Sequence, residues 1–160
     1  MAQYLDSIDL RGKSVVELGA GLGLPGMVAH MLGASSVVLT DKANLTDLLR
    51  HNVEKNFTSS SVRVHTLDWS SEQDRQSIAR PIDLILCCDC IYEPLYGKSW
   101  KPLAATVRAL ADPHTRVIIV VERRNADGVD SFLQCIQSDF EVASQSRGKL
   151  QLFELTKIAE

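Results

Sequence analysis

The chain has 160 residues, of which 45% are hydrophobic and 23% are charged, and its net charge is −3. A chain of this length can bury roughly 70% of its unfolded surface in one core, which predicts a single domain over the whole sequence. The slight acidity and the lack of a basic run argue against a nucleic-acid partner. No stretch approaches the roughly 18 apolar residues of a membrane span, and the N-terminus has no secretory pattern. We therefore expect a cytoplasmic or nuclear protein that is not bound to a membrane.

Short apolar runs alternate with segments of helical periodicity along the chain. The predicted strands cover residues 14–18, 36–41, 62–68, 82–89, 116–122, 140–146 and 149–158. The predicted helices cover residues 24–32, 44–56, 72–79, 99–111 and 128–140. The last two strands are separated by a turn too short for a helical crossover, so they should pair antiparallel. The alternation predicts an α/β fold. It should be a Rossmann-like, seven-stranded, mostly parallel sheet with helices on both faces, forming three αβα layers with an antiparallel C-terminal β-hairpin.

Two of the predicted helices carry a clear apolar face. The face of the second helix is predicted to contain Leu45, Leu48, Leu49 and Val53. The face of the fourth helix is predicted to contain Trp100, Leu103, Val107 and Leu110. Residues at this spacing lie on one side of a helix, so both sets should pack on the sheet.

A glycine-rich turn, within VVELGAGLGLPG, joins the first strand to the first helix. Glycines let a ligand approach the backbone, and the helix N-terminus can face that ligand. The dinucleotide-binding spacing is matched only by Gly21, Gly23 and Gly26. Counted from the end of the strand, the pattern is instead Glu17, Gly19, Gly21 and Gly23. A carboxylate beside the loop favours a ligand with positive charge over a phosphate, although a plain tight turn is the alternative.

Acidic and aromatic residues follow the next two strands. Asp41 lies 22 residues after Gly19, where a carboxylate can accept both ribose hydroxyls of an adenosine cofactor. NAD and S-adenosylmethionine share this requirement. Asp68 suits an adenine amino group, and Trp69 suits an adenine face. Asp41 as a helix cap and Trp69 as core are the structural alternatives, but placement at successive strand ends favours a cofactor site.

The stretch CCDCIYEPLY ends the fourth predicted strand. A zinc site needs about four converging ligands, whereas successive strand residues face opposite sides and no second Cys or His pair is present, so no metal is predicted. Cys87 and Cys88 are predicted as core residues. Cys90 is predicted to approach the opening of the site. Tyr96 and Trp100 are predicted to pack this loop onto the sheet.

These residues together resemble a known family. The glycine loop with its following LTDK, then LDW, DLILCCDCIYEP and VVERR, resemble the class I, seven-β-strand S-adenosylmethionine-dependent methyltransferases. The chain is most similar to family 16, the protein-lysine methyltransferase-like group. E-x-G-x-G-x-G marks only the superfamily, whereas D-x-x-Y, from Asp89 to Tyr92, is the narrower mark. The terminal hairpin also matches this class and argues against a dehydrogenase.

The resemblance implies S-adenosylmethionine as cofactor and a lysine side chain of a protein substrate as acceptor. The implied cofactor-binding residues are Glu17, Gly19, Ala20, Gly21, Gly23, Asp41, Lys42, Asp68, Trp69 and Asp89. Asp89 and Tyr92 are the implied catalytic residues at the methyl-transfer mouth. Asp89 would capture and orient the lysine, and Tyr92 would offer its ring face or hydroxyl. Family members usually carry an N-terminal, tryptophan-bearing segment before the counterpart of AQYL, so a truncated or reduced member is expected.

Two other functions remain open at this stage. A catalytically silent module could keep the cofactor fold and use the loop at residues 89–100 as an interaction surface. An NAD-dependent oxidoreductase would rest on the shifted glycine match alone. Glu122 and Arg123 stand where the family keeps a charged pair, or else form a solvated strand end. A monomer is expected.

Overall fold

The computed structural model describes residues 1–158 as seven helices and seven strands around one sheet. The helices are α1 (Ala2–Leu5), α2 (Leu24–Met31), α3 (Thr46–Asn56), α4 (Glu72–Gln76), α5 (Glu93–Tyr96), α6 (Trp100–Leu110) and α7 (Val129–Ile136). The strands are β1 (Ser14–Leu18), β2 (Ser36–Asp41), β3 (Val62–Thr66), β4 (Leu84–Cys88), β5 (Arg116–Glu122), β6 (Phe140–Arg147) and β7 (Leu150–Lys157). No helix within the described residues is long and apolar enough to span a bilayer.

The sheet order is β3-β2-β1-β4-β5-β7-β6. The first five strands run parallel, and β7 lies antiparallel between β5 and β6. This topology confirms the predicted mostly parallel sheet with its terminal hairpin. The chain order reverses between β1 and β4, and ligands of such sheets bind in the crevice at the carboxyl ends of the strands at that point.

Each face of the sheet carries its own apolar core. Neighbouring residues of β1 point to opposite sides, so Val15 belongs to one core and Val16 to the other. The core around Val16 includes Leu103 of α6 and Phe132 of α7. The core around Val15 includes Leu49 of α3. The predicted three-layer arrangement with helices on both faces is therefore confirmed.

The predicted apolar face of the second helix is partly wrong. Leu49 and Val53 are buried, but Leu45 and Leu48 are 45% and 55% exposed. The chain forms a 3₁₀ turn over Ala43–Leu45 before α3 begins at Thr46. The inward positions of α3 are consequently Thr46, Leu49 and Val53, spaced three and four residues apart, and Leu48 lies outside that face.

The other helices follow the predictions more closely. All four predicted face residues of α6 are buried, namely Trp100, Leu103, Val107 and Leu110. The predicted helix at 128–140 ends earlier, at Ile136, because the chain turns there into β6. The short helices α1 and α5 were not predicted. Four residues are too few to show a hydrophobic period.

Candidate cofactor and methyl-transfer site

Three glycines turn the chain from β1 into α2. Gly19, Gly21 and Gly23 have φ angles of 63°, 54° and 82°, a region that side-chain-bearing residues rarely adopt. The Gly23 N–H donates to the Ala20 carbonyl over 2.7 Å, and the Ala20 N–H donates to the Thr40 carbonyl of β2 over 2.9 Å. The predicted glycine loop therefore lies at the carboxyl end of β1, anchored to the neighbouring strand.

Gly19 is the point where three loops meet. A Cβ atom added there would lie 2.9 Å from the Cys90 Sγ and 3.1 Å from the Trp69 ring. Cys90 follows β4 and Trp69 follows β3, so only glycine allows these loops to approach so closely. Gly21 is different, because a Cβ atom there would meet nothing within 4 Å. The space above Gly21 is open to a ligand.

Asp41, at the end of β2, faces the glycine loop. Its Oδ2 accepts a hydrogen bond from the Gly21 N–H over 2.8 Å, and its Oδ1 accepts one from the Lys42 N–H over 2.8 Å. A carboxylate has about four acceptor positions. Each oxygen therefore keeps one for a ribose hydroxyl, so the geometry fits the predicted role of Asp41. Lys42 takes part through its backbone, and its side chain is exposed.

Asp68 and Trp69 lie at the same edge of the sheet, after β3. The exposed Asp68 carboxylate accepts a hydrogen bond from the Ser70 N–H over 2.9 Å. Trp69 is half-buried, with its ring against Gly19 and its carbonyl accepting from the Thr106 hydroxyl over 3.3 Å. Trp69 thus packs against the core and borders the glycine loop at once. Its predicted contact with adenine fits this place.

Glu17 lies beneath the glycine loop and not on its surface. Glu17 is only 1% exposed, and its Oε2 accepts a hydrogen bond from the Gly26 N–H of α2 over 2.8 Å. Burial raises the pKa of Glu17 to about 8; the Gly26 hydrogen bond opposes this shift and the charge of Asp41 adds to it. Glu17 therefore supports the loop from below, and its direct contact with the cofactor stays a prediction.

This raised pKa predicts a pH-dependent stability. Glu17 has an ordinary pKa of 4.5, so between about pH 4.5 and 8 it ionises in the unfolded chain while the folded protein keeps it protonated. The contribution of Glu17 to the free energy of unfolding is therefore fully present below about pH 4.5 and is lost as the pH rises from there to about 8. We expect Glu17→Gln to raise the melting temperature more at pH 8 than at pH 5. Thermal unfolding from pH 5 to 9 without cofactor measures this, with the exposed Glu54→Gln as control. Parallel curves for Glu17→Gln and wild type would contradict it.

Asp89 forms the rim of the site after β4. It adopts a φ of 54°, a left-handed conformation that aspartate tolerates better than most residues and that often marks functional positions. The Asp89 N–H donates to the Val120 carbonyl over 2.7 Å, and its Oδ1 accepts from the Glu122 N–H over 3.2 Å. These bonds turn the carboxylate towards the end of β5.

A cation occupies the space in front of Asp89. Arg124 donates from Nη1 to the Asp89 Oδ1 over 3.1 Å and from Nη2 to the Asp89 Oδ2 over 2.8 Å. Its Nη2 also donates to the Glu122 Oε2 over 2.9 Å, and its Cζ lies 4.9 Å from the Tyr92 ring centroid. These ion pairs raise the pKa of Arg124 above its ordinary value, the Asp89 hydrogen bond most of all. We call Asp89, Glu122 and Tyr92 the cation cage.

From the sequence, Glu122 and Arg123 were either the charged pair that the family keeps or a solvated strand end. Arg123 turns away and pairs with Asp127 and Asp130, both at 2.9 Å. Arg124, which sequence reasoning did not select, reaches Asp89 instead. The sequence signal for this contact was the pair of arginines after β5. The alternation of side chains along a strand does not predict which of the two points towards Asp89, because both lie beyond the end of the strand.

The cysteines occupy mostly inward positions. Cys87 is fully buried and Cys88 is partly buried, and burial raises the pKa of both thiols. Cys90 is 7% exposed and its Sγ lies 3.2 Å from the Leu18 carbonyl, under the glycine loop. Cys90 was expected to approach the opening of the site, but it is instead buried against the Leu18 carbonyl. Tyr96 is 53% exposed, so its predicted packing on the sheet is wrong, because α5 holds it outwards.

Trp100 does pack as predicted. It is 9% exposed, and its Nε1 donates to the Glu93 Oε2 over 3.0 Å. This bond fixes α5, and with it the neighbouring Tyr92, to the start of α6. Within the described residues, no group of three or more His, Cys, Asp or Glu side chains is arranged to hold a metal ion.

The fold and this site define a class of protein. A TehB-like S-adenosylmethionine-dependent methyltransferase from Corynebacterium glutamicum has the same fold, with a TM-score of 0.76 at 19% identity over 98% of this chain and 86% of that one. This likeness shows the fold alone. The antiparallel β7 also belongs to this class, in agreement with the sequence-based expectation, and argues against the NAD-dependent oxidoreductase.

The particular family follows from the sequence comparison. The lysine methyltransferase family profile matches residues 1–139, and the chain belongs to this family. Secreted RxLR effector protein 48 of Plasmopara viticola is 38% identical over 83% of this chain and 79% of its own. Protein N-lysine methyltransferase METTL21A of Xenopus tropicalis is 34% identical over 89% of this chain and 65% of its own. The chain thus spans less than two thirds of that methyltransferase. Family membership confirms S-adenosylmethionine as the predicted cofactor.

Proposed function

We propose that this protein transfers a methyl group from S-adenosylmethionine to the side-chain nitrogen of a lysine in a protein substrate. One observation carries the proposal. Asp89 and Tyr92 flank Cys90, which contacts Gly19 of the glycine loop, and together with Glu122 they form the cation cage that holds the guanidinium of Arg124. A carboxylate and an aromatic face are the groups that recognise a lysine ammonium. The relatives named as lysine methyltransferases support the same substrate class.

The residues of the site would act mainly by positioning. Bound S-adenosylmethionine supplies a methyl group on a positively charged sulfonium. The lysine would first lose a proton to water, and its neutral nitrogen would then form the new N–C bond as the C–S bond breaks. Because the ordinary pKa of lysine is about 10.4, forming the neutral amine at pH 7 costs about 4.6 kcal/mol. Because an ionised Asp89 favours the ammonium form, its role is capture and orientation, which places the nitrogen for in-line attack.

A labelling experiment tests this proposal. The purified protein is incubated with methyl-tritiated S-adenosylmethionine and a cell lysate, and labelled lysine is identified after hydrolysis. Asp89→Asn is expected to lower the transfer rate roughly 10- to 100-fold, the equivalent of one charge-assisted hydrogen bond of ~1.5–3 kcal/mol. Asparagine tolerates the left-handed conformation, so the backbone should be kept. Calorimetric binding of S-adenosylhomocysteine should weaken less than the transfer rate falls, and its change measures the predicted contribution of Asp89 to cofactor binding.

Asp9→Asn is the matched control, because Asp9 is another exposed carboxylate that accepts from two nitrogens of an arginine, Arg11, and it has no part in the proposed site. It should transfer at the wild-type rate. Wild-type rates for both Asp89→Asn and Tyr92→Phe at saturating cofactor would place the methyl-transfer mouth elsewhere. Label on residues other than lysine would reject lysine as the acceptor.

A catalytically silent interaction module is the second candidate. The observation that favours it is that Arg124 already occupies both Asp89 and Tyr92. Binding of S-adenosylhomocysteine without any transfer, by the wild type or by variants of the cage, would support this candidate over the enzyme.

We further propose that the protein works in the cytoplasm or nucleus as a monomer. The four cysteines are free thiols, which suits a reducing compartment. A fluorescent fusion and light scattering test these points. The relative named as a secreted effector makes recovery from the culture medium the competing outcome.

A further inference from the structure

We propose that Arg124 is a built-in competitor for the substrate lysine: its guanidinium occupies the lysine's place in the cation cage and must leave before a lysine ammonium can enter. This inference rests on the proposed function and adds a specificity-determining residue to it.

The contacts of Arg124 are those that a substrate ammonium would need. A cation on an aromatic face and against a carboxylate satisfies the cage, whichever chain supplies it. The Asp89 Oδ1 accepts from the Glu122 N–H and from Arg124, and the Oδ2 accepts from Arg124. With the guanidinium 4.9 Å from the centroid of the Tyr92 ring, that face is also taken. A second cation would meet a covered ring and the positive charge of Arg124.

The structure also gives Arg124 a way out. Its backbone N–H donates to the buried Asp127 Oδ2 over 2.9 Å, so the main chain is held while the side chain can swing. Arg124 borders a cavity of about 440 Å³ whose lining includes three acidic residues, Glu93, Asp127 and Asp130, and one other arginine, Arg123. Arg123 pairs with Asp127 and Asp130, which leaves the lining with an excess of negative charge. A guanidinium displaced from the cation cage would therefore find space and negative charge in this neighbouring cavity.

The charge of the cation cage changes when Arg124 leaves. With Arg124 inside, the carboxylates of Asp89 and Glu122 and the guanidinium sum to a charge of −1. Without it the cage carries −2, which attracts a cationic side chain more strongly. Weak cations would fail to displace Arg124, whereas a lysine presented by a well-docked protein surface would succeed. Arg124 would therefore select substrates by how firmly the rest of the substrate binds.

The test uses a minimal lysine probe, Nα-acetyl-L-lysine methylamide, titrated by NMR into the protein saturated with S-adenosylhomocysteine. Arg124→Ala is expected to lower the dissociation constant of the probe about 3- to 10-fold, as befits a partly exposed ion pair with a cation–π contact. In the wild type, the Arg124 Nε–H signal should shift as the probe binds. The uncharged norleucine analogue should bind neither protein measurably.

Arg11→Ala is the matched control, because Arg11 makes a similar two-nitrogen contact with Asp9 on an exposed surface. It should leave the dissociation constant of the probe unchanged. Arg124→Gln, which keeps most of the side-chain stem, repeats the test if the alanine variant fails to fold, as judged by its melting temperature.

An unchanged or raised dissociation constant in these Arg124 variants overturns the proposal, and so does a lack of probe binding to them. A lower transfer rate with wild-type probe affinity also overturns it, since Arg124 would then assist the reaction. Failure of methyl transfer to lysate proteins, with the probe still binding more tightly to Arg124→Ala, would count against the proposed enzyme and leave the competition intact.

Discussion

Replacing Asp41 with asparagine is expected to weaken S-adenosylmethionine binding about 10- to 100-fold, the loss of one or two charge-assisted hydrogen bonds of ~1.5–3 kcal/mol each, partly offset by the remaining amide oxygen. The carboxylate already uses one acceptor position on each oxygen, for the Gly21 and Lys42 N–H groups. Both remaining positions are then needed for the ribose. Isothermal titration with S-adenosylmethionine and S-adenosylhomocysteine measures the loss, which should be similar for both because they share the ribose.

Asp47→Asn is a suitable control for this prediction. Asp47 lies nearby in the chain on α3, but its side chain is 94% exposed and pairs with Arg50 at the surface. It should leave cofactor binding unchanged. Near-wild-type affinity for Asp41→Asn would show that the ribose is held by other groups.

Replacing Gly26 with alanine is expected to lower the free energy of unfolding by about 1–3 kcal/mol, the usual cost of an added group in a packed interior. A Cβ atom at this position would overlap the Leu39 Cδ2 and lie 2.8 Å from the Glu17 Oε2. In an exposed helix the same change would be stabilising by ~1 kcal/mol. The sign of the effect therefore separates packing from helix propensity. Urea unfolding measures it.

Two further variants sharpen this experiment. Met31→Ala, on the same helix, has a 75% exposed side chain and should change stability little. The double variant Gly26→Ala with Leu39→Val removes part of the overlap, so its destabilisation should be smaller than the sum of the two single changes. Additive effects, or a stabilising Gly26→Ala, would contradict the close packing of α2 on β2.

Much of the fold follows from local patterns in the sequence. β1, β2 and β5 begin and end at the predicted residues, because short β-branched runs between turn residues leave few alternatives. The two-residue turn before β7 allows only an antiparallel pair, which the structure confirms. The glycine loop, Asp41, Trp69 and Asp89 were also placed correctly at one edge of the sheet, since parallel strands align their carboxyl ends.

Several features depended on packing that no local pattern contains. Leu48 is exposed because it lies outside the inward face of α3, and Tyr96 is exposed because the short helix α5 holds it outwards. In the sequence, Gly26 was part of the dinucleotide-binding spacing that it forms with Gly21 and Gly23. The structure makes it the point where α2 touches β2, and makes Glu17 a buried support whose carboxylate faces that helix.

The cation cage shows most clearly which features the sequence determines and which depend on the tertiary structure. The sequence by itself determined that Asp89 and Tyr92 follow β4 at the carboxyl edge of a methyltransferase sheet, because their spacing and the preceding strand are local. Only the tertiary structure decided that Arg124, 35 residues beyond Asp89, lies between them. That contact depends on β4 pairing with β5 and on the turn after β5, held by Asp127. Long-range pairing and the direction of a side chain beyond a strand end are set by the packed molecule, and adjacent residues in the chain do not encode them.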